Sequence, residues 1–178
     1  MPSSRPDHLP ALAYLLERVR PKHILDIGIG SGFKGAFFRE YTDVWNHGVI
    51  APVDNIGIDL VGIEIWPHYR NRLWDLYDHV YEQDALSALA GFGEEAFDLV
   101  HAGDVIEHMS RSDGRTLIKE MARVARHTAI IVTPVIVKKQ GAVYGNKHEA
   151  HISQWHESDF PGWTRESFGN VAMFVLEK

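Results

Sequence analysis

Apolar residues along the chain follow two rhythms that alternate. Spacing at three and four residues predicts a helix over 9–19, with Arg18 and Arg20 near its end and Pro21 stopping it. The β-branched run Ile24-Leu25-Asp26-Ile27 then predicts a short strand, and the glycines after it a tight turn leading into a helix over 33–41. Further strands are predicted over 60–65, ended by Trp66-Pro67, over 79–83 and over 97–102. A short helix over 69–76 separates the first two of these. Residues 115–126 return to helical spacing and lead into 128–135, a run apolar enough for a central strand. The chain closes on a strand over 171–176, paired with one near Trp163.

Strands that alternate with helices imply parallel βαβ units in a doubly wound α/β sheet with helices on both faces. The two strand signals at the end break this alternation and predict a terminal antiparallel hairpin, making seven strands. Residues 42–59 fit neither rhythm and read as a surface insertion, being long for a loop in a compact domain. With 178 residues, 1–178 is expected to form a single domain.

Composition adds exclusions. Hydrophobic residues at 45% against 24% charged place the chain among globular proteins rather than disordered ones. The absence of cysteine removes disulfides, thiolate zinc sites and cysteine nucleophiles. The net charge of −6 argues against a nucleic-acid partner. Residues 1–10 carry no apolar run of the signal-peptide kind, and no stretch approaches the ~20 apolar residues of a membrane span. The expected setting is cytoplasmic.

The turn after the first strand reads Asp26-Ile27-Gly28-Ile29-Gly30-Ser31-Gly32, a DxGxGxG pattern between a strand and a helix. Glycines there let the backbone turn sharply and approach a ligand without a Cβ in the way. A second register, Gly30-Ser31-Gly32-Phe33-Lys34-Gly35, matches the dinucleotide pattern GxGxxG, but it starts after the turn has begun. The DxGxGxG segment resembles motif I of the class I S-adenosylmethionine-dependent methyltransferases, and later landmarks follow in that family's order. The resemblance covers most of the chain from His23 to Leu176 and implies a Rossmann-like sheet and S-adenosyl-L-methionine as cofactor.

Carried over residue by residue, the resemblance assigns Asp26, Gly28, Gly30 and Gly32 to the methionine part of the cofactor. Glu64, closing the second strand, is placed to accept both ribose hydroxyls, a role it would share with dinucleotide binders. Asp84 and the amide of Ala85 would meet the adenine; by itself, an aspartate there is also a helix N-cap. The phrase from Phe97 to Met109, with Asp104-Val105-Ile106-Glu107-His108, resembles the family's segment lining cofactor and reaction site and adds Asp104. His108 suits a general base at neutral pH, or else anchors the following helix.

A third cluster runs from Gln140 through Tyr144-Gly145-Asn146-Lys147-His148-Glu149-Ala150-His151 to Trp155 and Phe160. It resembles a phrase of a stand-alone bacterial methyltransferase group suspected of acting on sugars. His151 joins His108 as a candidate base, and Trp155 is either a sugar-stacking platform or a pin for the loop. Asp104, Glu107, His108 and His151 also resemble the divalent-ion ligands of certain O-methyltransferases. Asp stands where those have Glu, however, and DVIEH occurs in metal-free relatives, so no metal is assigned. The expected function is O-methylation of a small or sugar-like acceptor. Its alternatives are a metal-dependent RNA 2′-O-methyltransferase, a nicotinamide oxidoreductase and a cofactor-binding protein without catalysis.

Overall fold

The computed structural model describes residues 6–44 and 57–178. Strands β1 (His23–Ile27), β2 (Asp59–Ile63), β3 (His79–Tyr81), β4 (Phe97–Gly103), β5 (Ala125–Pro134), β6 (Thr164–Phe168) and β7 (Val171–Glu177) form one sheet in the order β3-β2-β1-β4-β5-β7-β6. The first five run parallel; β7 pairs antiparallel with both β5 and β6. Helices α1 (Leu9–Val19), α2 (Phe33–Arg39), α3 (Ala85–Leu89) and α4 (Arg111–Val124) cover the sheet. The doubly wound, mostly parallel sheet with a terminal hairpin is therefore the architecture the rhythm predicted.

The central strands lack a polar side because both faces are buried. Leu25, Ile27, Val61, Ile63, Val100, Ala102, Ala129 and Ile131 pack into one core with Leu117, Met121 and Val124 of α4. Their alternating neighbours Ile24, Leu60, Leu99, Ile130 and Val132 pack into a second with Leu12, Leu15 and Leu16 of α1 and Phe38 of α2. A period of two thus divides each strand between two apolar layers.

Several bounds differ from the expected ones. Helix α4 starts at Arg111, not 115, because the Ser110 side chain caps it by accepting the amide of Asp113. Its Gly114 lowers helical propensity, yet a Cβ there would stand 2.1 Å from Trp155 Cζ2, so close packing decides the residue. The helix over 69–76 resolves into two 3₁₀ turns, Pro67–Tyr69 and Arg72–Leu76. Helix α3 was given no range, but Asp84 read as a helix N-cap and does cap it, its side chain accepting the Ser87 amide at 3.0 Å. Of the expected 42–59 insertion, residues 45–56 lie outside the described residues.

The chain leaves β1 toward β2 and β3 on one side and later returns to lay β4 and β5 on the other. The strand order reverses between β1 and β4, and ligands of such sheets bind in the crevice beyond the carboxyl ends at that point.

Candidate active site

A cleft of about 790 Å³ opens at this reversal, lined by residues from the ends of β1, β2 and β4 and from the segment after β5. Asp26, Gly28, Gly30, Glu64, Asp84, Ala85, Asp104, His108 and His151 all line it. Gly32 does not: it takes a left-handed φ of +80° as N-cap of α2, and a Cβ there would press on Trp74 and Leu73 at 3.0–3.1 Å. Its role is to turn the backbone, not to face a ligand.

Gly28 also needs its hydrogen. Its φ is +72°, and a Cβ would stand 2.4 Å from Val105 Cγ2. The glycine turn is held by the second strand: the Gly30 amide donates to Glu64 Oε2 at 2.8 Å, and the Trp66 amide donates to Glu64 Oε1 at 2.8 Å. Each carboxylate oxygen keeps lone-pair capacity toward the cleft. Burial pushes the Glu64 pKa up, while the amides of Trp66 and Gly30 pull it down.

Asp26 is 1% exposed, and both of its oxygens are engaged. Oδ1 lies 2.8 Å from His101 Nδ1, and Oδ2 accepts the Tyr77 hydroxyl at 2.6 Å. Asp26 and His101 face each other across the β1–β4 pairing, on the side that faces α2. Asp26 therefore shapes the site by fixing its neighbours. Neither His101 nor Tyr77 was singled out from the sequence, since only the strand register brings them to Asp26. Asp104 follows β4 in a left-handed conformation, φ +53°, uncommon for a residue with a side chain and frequent where a site over-determines the backbone.

Close to Asp104 along the cleft stand Glu107, His108 and His151, each offering a ligand-type atom within 4.8 Å of the others. Asp104, the fourth member of the set suggested by resemblance, falls outside this grouping. His108 Nδ1 meets the Ala150 carbonyl at 3.2 Å, and His151 Nδ1 meets the Lys138 carbonyl at 2.6 Å. A carbonyl only accepts, so Nδ1 carries the proton in each neutral ring and Nε2 keeps its lone pair. Burial, ahead of the repulsion from His151, lowers the pKa of His108. Glu107 is 1% exposed and takes a hydrogen bond from the Thr133 hydroxyl at 3.1 Å. Burial, then the charge of Asp104, pushes its carboxyl up to about 8.

Trp155 is not a platform. It is 3% exposed and donates from Nε1 to the Ile106 carbonyl at 3.0 Å and to Ser153 Oγ at 2.8 Å. It pins the returning loop against α4, and the sugar-stacking role is withdrawn. Asp84 caps α3 and lines the cleft, so its two readings are compatible.

A Rossmann-like sheet closed by an antiparallel hairpin, with a glycine turn at the strand-order reversal and an acid closing β2, defines the class I methyltransferase fold. The chain belongs to a methyltransferase-domain family, which it matches over residues 25–133. It is an S-adenosylmethionine-dependent methyltransferase; the nicotinamide alternative is set aside. Among solved structures, the PH0226 protein from Pyrococcus horikoshii OT3 is 15% identical with a TM-score of 0.65, over 97% of this chain and 89% of that one. An O-methyltransferase family protein from Burkholderia thailandensis is 10% identical with a TM-score of 0.61, over 96% of this chain and 57% of that one. The 1,6-didemethyltoxoflavin-N1-methyltransferase of the same organism, solved with S-adenosylhomocysteine, is 14% identical with a TM-score of 0.62, over 96% of this chain and 77% of that one. No curated protein matches the chain by sequence. No described helix is long and apolar enough to cross a membrane.

Proposed function

We propose that this methyltransferase acts on a hydroxyl oxygen of a small, polar acceptor, sugar-like acceptors included, with His108 and His151 as the bases that receive the proton. The observation that carries the reading is the pair of imidazoles 4.9 Å apart at the cleft, both held by backbone carbonyls so that Nε2 is the basic atom. The lowered pKa of His108 keeps it neutral, hence able to accept a proton, at pH 7. The net charge of −6 weighs against an RNA acceptor.

The cofactor fits the cleft. Gly30 has open space where a Cβ would stand, Glu64 suits the ribose, and Asp84 with the first-turn amide of Ala85 suits the adenine. When bound, it supplies an electrophilic methyl group on a positively charged sulfur. The chain's own part is to align the acceptor oxygen, exclude water and take the hydroxyl proton at a histidine Nε2.

The grouping of Glu107, His108 and His151 supports a second reading, in which the same residues hold a divalent cation. One carboxylate and two imidazoles with Nδ1 tied to carbonyls are a fitting donor set. A cation there would act as a Lewis acid on the acceptor oxygen.

One experiment separates the readings: release of S-adenosylhomocysteine from a panel of catechols, hexoses and amino sugars, by wild type and His151→Ala, with and without EDTA. As bases, the histidines give turnover indifferent to EDTA, lowered about 100-fold in His151→Ala, with cofactor affinity unchanged. Turnover abolished by EDTA and restored by manganese assigns them to a metal. Unchanged turnover in His151→Ala removes that residue from both.

A further inference from the structure

The part of the cleft that holds the two bases is built from hydrogen-bond acceptors. His108 and His151 keep Nε2 open. Gln140 donates from Nε2 to the Glu149 carbonyl at 2.7 Å, which leaves its side-chain oxygen. Glu149 is 8% exposed and lines the cleft; Oε1 accepts the Tyr69 hydroxyl at 2.8 Å, and Oε2 has no hydrogen bond among the described residues. Behind burial, its charge acts on both the Glu64 carboxyl and the His108 ring, so it stands near the ribose acid and near a base. Among the described residues Lys34 is the only lysine or arginine that lines the cleft, against seven aspartates and glutamates. A buried carboxylate with one open oxygen in so negative a cleft calls for a donor or a cation from the ligand. Glu149 lies outside the grouping of Glu107, His108 and His151, so this demand is separate from that of a metal.

An aromatic ring is presented from the same segment. Val143 and Asn146 pair through both backbone amides, at 3.2 and 2.9 Å, and between them Tyr144 and Gly145 take φ of +49° and +80°. Two successive left-handed residues make a type I′ turn, where asparagine, aspartate or glycine is usual and a tyrosine is strained. The ring gains no packing there: Tyr144 is 82% exposed, yet it lines the cleft. The turn itself is fixed, because buried Asn146 donates to the same Tyr69 hydroxyl that holds Glu149. One hydroxyl thus ties the tyrosine-bearing turn to the open carboxylate. A carboxylate and an aromatic ring at one site suit an ammonium group, through charge and through cation–π attraction.

We infer that Glu149 and Tyr144 form an acceptor subsite for an ammonium group, so that the molecule methylated is a cationic hydroxy-amine and not an acid, a phosphate ester or a neutral sugar. The inference rests on the proposed O-methylation and deepens it by naming the acceptor's charge. The hydroxyl is the group methylated, and the ammonium is held for recognition. In the sequence Glu149 was legible only as a member of a polar loop, since its partner Tyr69 lies 80 residues away.

The test is calorimetric binding to EDTA-treated protein saturated with S-adenosylhomocysteine. Two matched trios serve as probes: glucosamine, glucose and glucuronate, then dopamine, catechol and protocatechuate. Wild type should bind the cationic member of at least one trio about tenfold tighter than the neutral member, and the anionic member more weakly still. Glu149→Gln, which keeps an oxygen for the Tyr69 hydroxyl, should bring the cationic and neutral members within about twofold of each other. Tyr144→Asn, suited to the left-handed turn, should weaken the cationic member about fivefold, and Tyr144→Phe should retain it. Melting curves taken alongside show that each variant is folded. No preference for the cation in either trio, binding of neither trio included, overturns the subsite, as does a preference that survives Glu149→Gln. Methylation of a bound hydroxy-amine at nitrogen would instead overturn the O-methylation reading and leave the subsite standing.

Discussion

At the residue scale, Glu107 is the group whose protonation the fold disturbs most legibly. Its carboxyl is raised to about 8 from an ordinary 4.5, chiefly by burial and then by Asp104. A raised carboxyl pKa means that the folded state binds the proton more tightly than the unfolded chain. Stability from this group is then intact below about pH 4.5 and declines as pH rises toward 8. Glu107→Gln keeps an acceptor for the Thr133 hydroxyl and, through its amide nitrogen, a donor like that of the protonated acid. In chelator-treated protein, wild type and Glu107→Gln should match in urea stability near pH 4.5, and the variant should lead by about 1–3 kcal/mol at pH 8.5. Parallel curves would mean that Glu107 ionises as an ordinary glutamate. The sequence showed Glu107 as part of a motif but not its burial. Likewise the DxGxGxG pattern marked Asp26 without its bond to His101, because a cross-strand partner depends on register.

At the element scale, the segment after β5 has little regular structure, yet it is fastened to the cofactor side of the cleft. Tyr69, just beyond Trp66-Pro67, donates its hydroxyl to Glu149 Oε1 at 2.8 Å and accepts from Asn146 Nδ2 at 3.1 Å. All three side chains are buried. Burial pushes the Tyr69 hydroxyl pKa up to about 12, so it remains a donor across the working pH range. Tyr69→Phe would leave a buried carboxylate oxygen and an amide nitrogen short of a partner, a loss of about 1–3 kcal/mol. Its effect should be local: trypsin should cut faster after Lys138, Lys139 or Lys147, which are exposed, with S-adenosylhomocysteine affinity within about twofold of wild type. Cleavage at the wild-type rate would show that the loop is held by other contacts. Strong periodic elements such as α1 were legible from apolar spacing. This loop was legible only as a concentration of His, Asn and Tyr, since its anchors lie about 80 residues apart in sequence.

At the scale of the whole molecule, the reversal of strand order was implied by the alternation of strands and helices, and with it the position of the cleft. What alternation could not supply is how many elements the cleft joins. Glu64 ties β2 to the glycine turn after β1; His101 ties β4 to β1; the Thr133 hydroxyl ties β5 to Glu107 beyond β4. The two apolar layers share these same strands, so neither core can melt while the cleft stays intact. A ligand of the folded cleft should then stabilise the chain as one unit. At a hundredfold excess over its Kd, S-adenosylhomocysteine should add ~2.7 kcal/mol and raise a single melting transition by about 5–10 °C. Calorimetric scans with and without S-adenosylhomocysteine decide it. Two transitions, of which the ligand moves only one, would show that the hairpin end of the sheet unfolds apart from the cleft and that 1–178 is not one cooperative domain.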